Sequence, residues 1–266
     1  QSFLSPRQYS LLVEYTDEDP VKERDIIGRL LQSDIAGLLI FPAEPRSNTD
    51  LFATLRREGV PFVILDRAAP NFPVNHVTSN NHEGAYVATE HLIGLGHTRI
   101  AFIGSHFLLS SVQERYHGYC DALAMAGIPF REELVHRDHT PDGATLARRI
   151  REGDVTAILA ANDLKALEIM GVLRQQDIDI PGQVSLVGYD DFEACSFANI
   201  PLSTVRQDFE LMGSESAKLL VRSIRHREVG CRRIMLPTKL VLRRSTGPCP
   251  RGGGIPGRDR EEPIHA

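Results

Sequence analysis

The feature that most limits what this chain can fold into is its hydrophobic rhythm. Short runs of β-branched and aliphatic residues alternate with longer stretches that carry apolar residues at helical spacing, a pattern that specifies parallel βαβ units. The first run is Tyr9 to Tyr15, followed by a helix from about Val21 to Ser33 that opens behind Pro20 and the acids Asp17, Glu18 and Asp19. Acidic groups at a helix start complement its dipole. Gly37 to Phe41 and Pro61 to Leu65 read as strands around a helix from Thr49 to Glu58 that Gly59 ends. Asn80 with Glu83 has the spacing of a capping box, and Ala85, Ala88, Leu92 and Ile93 then share a helical face up to Gly94 and Gly96.

The rhythm continues through a strand at Arg99 to Ile103, a helix at Val112 to Ala126, a strand at Thr156 to Ala160, a helix at Leu164 to Gln176 and a strand at Val184 to Tyr189. A long amphipathic helix carries Phe209, Met212, Ser216, Leu219 and Ile224, and Arg233 to Leu236 and Lys239 to Leu242 close the order as strands. Pro248 to Ala266 holds too many Pro and Gly residues to bury itself and is expected to be disordered. At about 150 residues per domain, 266 residues form two lobes of similar layout.

Composition excludes several functions. Lys and Arg number 30 against 35 Asp and Glu, a net charge of −5, whereas a surface that grips nucleic acid needs a basic excess. The apolar runs Ala36 to Phe41 and Val155 to Ala161 are far too short to span a bilayer. Cys120, Cys195, Cys231 and Cys249 form no CxxC pair and no zinc spacing, so they read as reduced thiols, and no secretory leader is visible ahead of the first run. His91 with His97, and His136 with His139, lack a convincing third ligand, so no metal is expected. Gly213 to Ala217 breaks the nucleophile-elbow pattern at its last position, and no P-loop or HExxH is present. Gly94-Leu95-Gly96 stands before a strand, where it stops a helix and binds no dinucleotide. No enzyme constellation and no cofactor follow from these residues.

Open α/β sheets bind ligands beyond the carboxyl ends of their strands. There this chain places Thr16 and Asp17, Ser105 and His106, Asn162 and Asp163, and Asp190 and Asp191. Carboxylates, amides and guanidinium groups can each bond two neighbouring hydroxyls, which suits a polyhydroxylated ligand. Asn and Asp also cap helices and turns, and Arg115, set among Tyr116, Gly118 and Tyr119, could equally be a solvated helical side chain. Both readings fit the residues alone.

Five ordered blocks decide the matter differently: Glu90 to Gly104 with its Gly-His-Thr-Arg-Ile core, Arg115-Tyr116-His117-Gly118-Tyr119, Ala161-Asn162-Asp163, Val184 to Asp191, and Pro201-Leu202-Ser203-Thr204-Val205-Arg206-Gln207. In order and spacing they closely resemble the effector-binding region of the LacI/GalR repressor family, from about Tyr9 to Thr246. The resemblance implies an α/β fold of the periplasmic-binding-protein kind: two Rossmann-like subdomains with parallel sheets, joined by three crossover strands, with an effector in the cleft between them. It places residues 1–104 plus 208–227 in the N-subdomain and 105–202 plus 233–246 in the C-subdomain. The family's effector-binding arginine falls on Arg115, its strand-end asparagine on Asn162, its acidic ligand on Asp190 and its crossover glutamine on Gln207. Phe209 and Phe192 stand where an apolar wall is expected.

The resemblance further implies a cytoplasmic, homodimeric regulator, a repressor, that senses a sugar or similar polar metabolite and meets operator DNA through a headpiece not contained in these residues. That headpiece would be a helix-turn-helix, or a winged helix of the GntR kind. The alternative on the same fold is a periplasmic sugar-binding protein of a transport system. Three departures stand out: Gln1 to Gln8 matches only the end of the family's first helix, a central strand ahead of it has no counterpart, and the family's Asp-Asn before the third helix reads Asn80-Asn81. The chain also has no Trp, so stacking on a sugar face falls to Phe or Tyr.

Overall fold

A computed structural model of the chain describes residues 3–44, 47–67, 73–137, 139–226 and 231–250. They form two compact units. Unit 1 comprises residues 1–81, 106–114 and 207–238, and unit 2 comprises 82–105, 115–206 and 239–266. Apart from the excursion at 106–114, the chain passes from one to the other at 81/82, 206/207 and 238/239.

Unit 1 contains the helices α1 (Pro20–Leu31), α2 (Thr49–Arg57) and α8 (Phe209–His226) and the strands β1 (Leu38–Ile40), β2 (Phe62–Leu65), β3 (Asn75–Ser79) and β9 (Arg233–Leu236). The sheet order is β1-β2-β3-β9 with every pair parallel. A parallel sheet must be covered on both faces, and β2 shows how. Phe62 and Ile64 pack with Ile27, Phe52 and Leu55, while Val63 and Leu65 pack with Met212, Leu219 and Leu220. Asp19 caps α1 by accepting from the Val21 N–H at 2.8 Å, with Pro20 at the first helical position. Glu23 is buried inside α1, where Asn48 Nδ2 and the Ala43 N–H each donate to its carboxylate at 2.7 Å. It thereby fastens the loop that leaves β1.

Unit 2 carries α3 (Asn81–Gly94), β4 (Ile100–Ile103), α4 (Ser110–Met125), β5 (Val135–His136), α5 (Gly143–Arg151), β6 (Ala157–Ala160), α6 (Asp163–Gln175), β7 (Ser185–Asp190), α7 (Ala194–Phe197), β8 (Ser203–Arg206) and β10 (Lys239–Val241); the first residue of α3 and the first turn of α4 fall in unit 1. The order is β10-β8-β7-β6-β4-β5, parallel except for the β10–β8 pair. Gly118 explains part of the Arg115–Tyr119 block, since a Cβ there would lie 2.1 Å from the His82 carbonyl oxygen, so only glycine lets α4 approach α3. Tyr119 is fully buried and donates its hydroxyl to the Ile100 carbonyl at 2.8 Å.

Four expectations need correction. The division falls at residues 81/82, not 104, because β4 pairs with β5 and β6 and so belongs to the second sheet. Strand β9 belongs to the first sheet because it pairs with β3, a strand the hydrophobic rhythm does not show because polar Asn75, His76, Thr78 and Ser79 surround Val77. Tyr9 to Tyr15 enters no ladder among the described residues, and Leu11, Leu12, Val13 and Tyr15 are exposed. A strand's apolar residues hold it only through a neighbour, and a cavity of about 730 Å³ lies beside Leu11 and Leu39 of the edge strand β1. Finally, Pro248 to Pro250 is described and anchored, the Cys249 N–H reaching the Leu95 carbonyl at 2.9 Å; the remainder of the expected disordered tail, 251–266, lies outside the described residues.

The histidine of the Gly-His-Thr-Arg-Ile block, His97, is wholly buried. Its Nδ1 meets Thr156 Oγ1 at 3.1 Å, and its Nε2 meets Ser185 Oγ at 3.1 Å and the Gly247 carbonyl at 3.0 Å. Since a carbonyl only accepts, Nε2 donates to it. Burial holds the imidazole below its usual pKa, so the unfolded chain binds more protons as pH falls through about 6.5. The stabilisation is therefore complete above that pH and lost below it. His97→Ala should cost about 1–3 kcal/mol at pH 7.5 and reduce the fall in melting temperature between pH 7.5 and 5.5. A second expectation concerns the segment without a ladder: by hydrogen exchange, Leu11, Leu12 and Val13 should exchange like exposed coil while Val63 and Ile64 stay protected.

Candidate functional site

In unit 2, the carboxyl ends of β6 and β7 gather three of the expected site residues. Asn162 stands two residues past β6 and is the N-cap of α6, its Oδ1 accepting from the Lys165 N–H at 2.8 Å and its Nδ2 donating to Ser105 Oγ at 3.2 Å. The capping role is thus real, and it fixes the amide beside the end of β4. Asp190 ends β7, and Arg115 reaches it from α4 with Nη2 3.4 Å from Oδ1. That distance is an ion pair without a short hydrogen bond. The second arm of the guanidinium, Nη1, donates to the Ala161 carbonyl at 2.6 Å, and its carbon lies 3.8 Å from the centre of the buried Tyr189 ring. Arg115 is therefore no solvated helical residue. Its side chain is 5% exposed and that of Asp190 is 11% exposed.

The backbone at the end of β7 is unusual. Asp190 and Asp191 have φ of 116° and 61°, conformations that cost non-glycine residues about 1–3 kcal/mol each and persist only where the surroundings impose them. Asp191 receives Arg206 Nε at 2.6 Å and Arg243 Nη2 at 2.5 Å, with 5% of its side chain exposed. Asp163, fully buried, accepts from Thr204 Oγ1 at 2.6 Å and from the Phe192 N–H at 2.9 Å. Desolvation raises its carboxyl pKa, and hydrogen bonds to Thr204 and the backbone oppose that rise. Gly188 makes room for it, since a Cβ there would stand 2.2 Å from Asp163 Oδ1.

Phe192 joins this group by its backbone and keeps a ring that is 38% exposed. Gln207 and Phe209 fall in unit 1, Gln207 buried and Phe209 half-exposed at the start of α8, where its ring borders the cavity beside Leu39. Sequence reasoning singled out neither the arginines that hold Asp191 nor the buried part played by Asp163. The linear signals were the strand-end positions of Asp163 and Asp191 and the place of Arg206 in the Pro201–Gln207 block. Unit 1 adds Asp66 at the end of β2, with φ of 57° and an Oδ1 that has no partner among the described residues. Nearby, Arg67 Nη2 pairs with Glu18 at 2.5 Å. Among the described residues no three His, Cys, Asp or Glu side chains gather in a form that could hold a metal ion, and the four cysteines are unpaired. No helix among them is long and apolar enough to cross a membrane.

The chain matches the periplasmic binding protein-like domain over residues 89–246. It is 30% identical over 244 residues to the HTH-type transcriptional regulator DegA of Bacillus subtilis, covering 90% of this chain and 72% of DegA. The chain belongs to the LacI/GalR family of transcriptional regulators. Within that family, CelR of Thermobifida fusca is 34% identical over 248 residues, covering 91% of this chain and 72% of CelR. A solved complex of the transcriptional regulator CelR with cellobiose superposes with a TM-score of 0.82 at 34% identity, over 92% of this chain and 76% of that one. The fold is thus the α/β, parallel-sheet architecture of LacI/GalR effector domains, and the transport-receptor alternative is set aside because the relatives regulate transcription.

The pairing of Arg115 with Asp190 has an energetic signature. Removing one partner of a buried pair strands the other charge, so Arg115→Met should destabilise the protein by about 3 kcal/mol. Arg115→Met with Asp190→Asn should cost less than the two single changes added together, as read by a double-mutant cycle in urea.

Proposed function

We propose that this LacI/GalR-family chain is the effector-sensing core of a repressor and that its effector is a sugar or a similar small polyhydroxylated metabolite. The observation that carries the reading is the Arg115–Asp190 pair, held over Tyr189 at the carboxyl ends of β6 and β7. A preformed cation and carboxylate side by side offer donors and acceptors to vicinal hydroxyls, and Asn162 adds an amide beside them. Phe192 supplies an apolar surface from unit 2. Gln207 and Phe209 are carried by the family resemblance. A relative solved with cellobiose supports the sugar class.

The activity is binding without catalysis, and no cofactor takes part. The net charge of −5 suits a core that leaves operator DNA to a separate headpiece. The intact regulator works in the cytoplasm as a homodimer, and the exposed Leu164 and Phe197 of unit 2, 66% and 79% accessible, are apolar surface that a second copy would cover. A sugar that binds one state of the dimer more tightly shifts the DNA-competent population by the ratio of its two affinities.

The test is a melting screen against mono- and disaccharides, cellobiose included. A ligand at 100 times its dissociation constant should stabilise the protein by about 2.7 kcal/mol, and Asp190→Asn should remove that response. Stabilisation by a sugar that survives in both Asp190→Asn and Arg115→Met would overturn the site.

A further inference from the structure

The carboxylate of Asp190 is aimed by a neighbour that makes no contact with Arg115. Asp190 and Asp191 both have positive φ, 116° and 61°, and the first lies outside the left-handed well that Asp tolerates, so it depends on its surroundings to hold it. From the geometry we infer that Asp191 is a positioning residue: its two arginine pairs hold the end of β7 in the left-handed turn that presents Asp190 to Arg115. This rests on the reading of Asp190 as a ligand contact, and it concerns how that contact is prepared before any ligand arrives.

The clamp ties together neighbouring parts of the sheet. Arg206 is the last residue of β8 and stands in register opposite Asp190, so its Nε reaches Asp191 Oδ2 from the adjacent strand. Arg243 follows β10, the next strand over, and reaches Oδ1 with Nη2, while its Nη1 donates to the Leu202 carbonyl at 2.7 Å and its N–H to Ser203 Oγ at 2.9 Å. Arg243 is thus itself held at three points. On the far side of the turn, the Phe192 N–H is taken by the buried Asp163. Residues 190 to 192 are therefore held from two sides, by the arginines on Asp191 and by Asp163 on the Phe192 N–H. Because both oxygens of Asp191 are engaged, its carboxylate turns away from Arg115 and leaves that role to Asp190.

The prediction separates backbone geometry from charge. Asp191→Ala removes the clamp and leaves a residue that disfavours the left-handed conformation, whereas Asp191→Gly removes the clamp but adopts that conformation freely. The readout is the NMR signature of the Arg115 guanidinium in protein without ligand, whose hindered rotation and chemical shift report its pairing with Asp190. The expected result is loss of the Arg115 signature in Asp191→Ala with far-ultraviolet circular dichroism unchanged, and its retention in Asp191→Gly. An unperturbed signature in Asp191→Ala overturns the proposal, and so does equal loss in the alanine and glycine variants. If Asp191→Ala does not fold, Arg243→Gln and Arg206→Gln each remove one arm; weakened pairing in either supports the clamp, and unchanged pairing in both overturns it. Because no sugar is added, failure here leaves the sugar screen to judge the ligand reading independently.

Discussion

Burial of the Asp163 carboxylate is the constraint on which the site of unit 2 depends. A carboxylate removed from water must find donors, and this one finds them on two neighbouring strands, the Thr204 hydroxyl within β8 and the Phe192 N–H just past β7. Gly188 is required in the middle of β7 because any side chain there would fill the space that the carboxylate uses. The helix α6 that carries Asp163 is started by Asn162, so one dipeptide both caps a helix and knits the sheet. The turn at Asp190 and Asp191 is then pressed between this acid and two arginines, and its strain is sustained by bonds elsewhere.

The same economy governs Arg115. Its guanidinium is stacked on Tyr189, tied to the Ala161 carbonyl and paired with Asp190, so little conformational freedom remains to be lost when a ligand binds. The 3.4 Å separation makes the pair an ion pair rather than a short hydrogen bond. Breaking a buried pair is costly when only one partner changes, whereas a ligand that bonds both at once replaces the interaction without stranding a charge. Under the proposed function, a preformed pair of this kind would serve stability in the free protein and recognition in the bound one.

Much of the fold was legible because burial imposes a period on sequence. The strands β1, β2, β4 and β6 are continuous apolar runs, as strands covered on both faces must be, β7 carries Leu186, Val187 and Tyr189 between Ser185 and Asp190, and the helices between them repeat at helical spacing. Strand β3 escaped because its buried residues are polar: Asn75 donates to Ser223, and Thr78 donates to the Asp66 carbonyl. A buried amide satisfied by a partner 148 positions away leaves no local trace. Tyr9 to Tyr15 fails in the opposite sense, with the residues of a strand but no pairing neighbour among the described residues.

The sequence by itself determined the alternation of strand and helix, the family, and the strand-end positions of Asn162 and Asp190, because these follow from local periodicity and from short ordered motifs. Only the tertiary structure decided where one unit ends and the next begins, because that depends on which strands pair, β4 with β6 and β9 with β3. It also decided that Arg115 is a buried ion-pair partner and that Asp191 is held by Arg206 and Arg243, since those contacts join residues 75, 15 and 52 positions apart. Separations of that kind are set by chain topology, which no local pattern encodes.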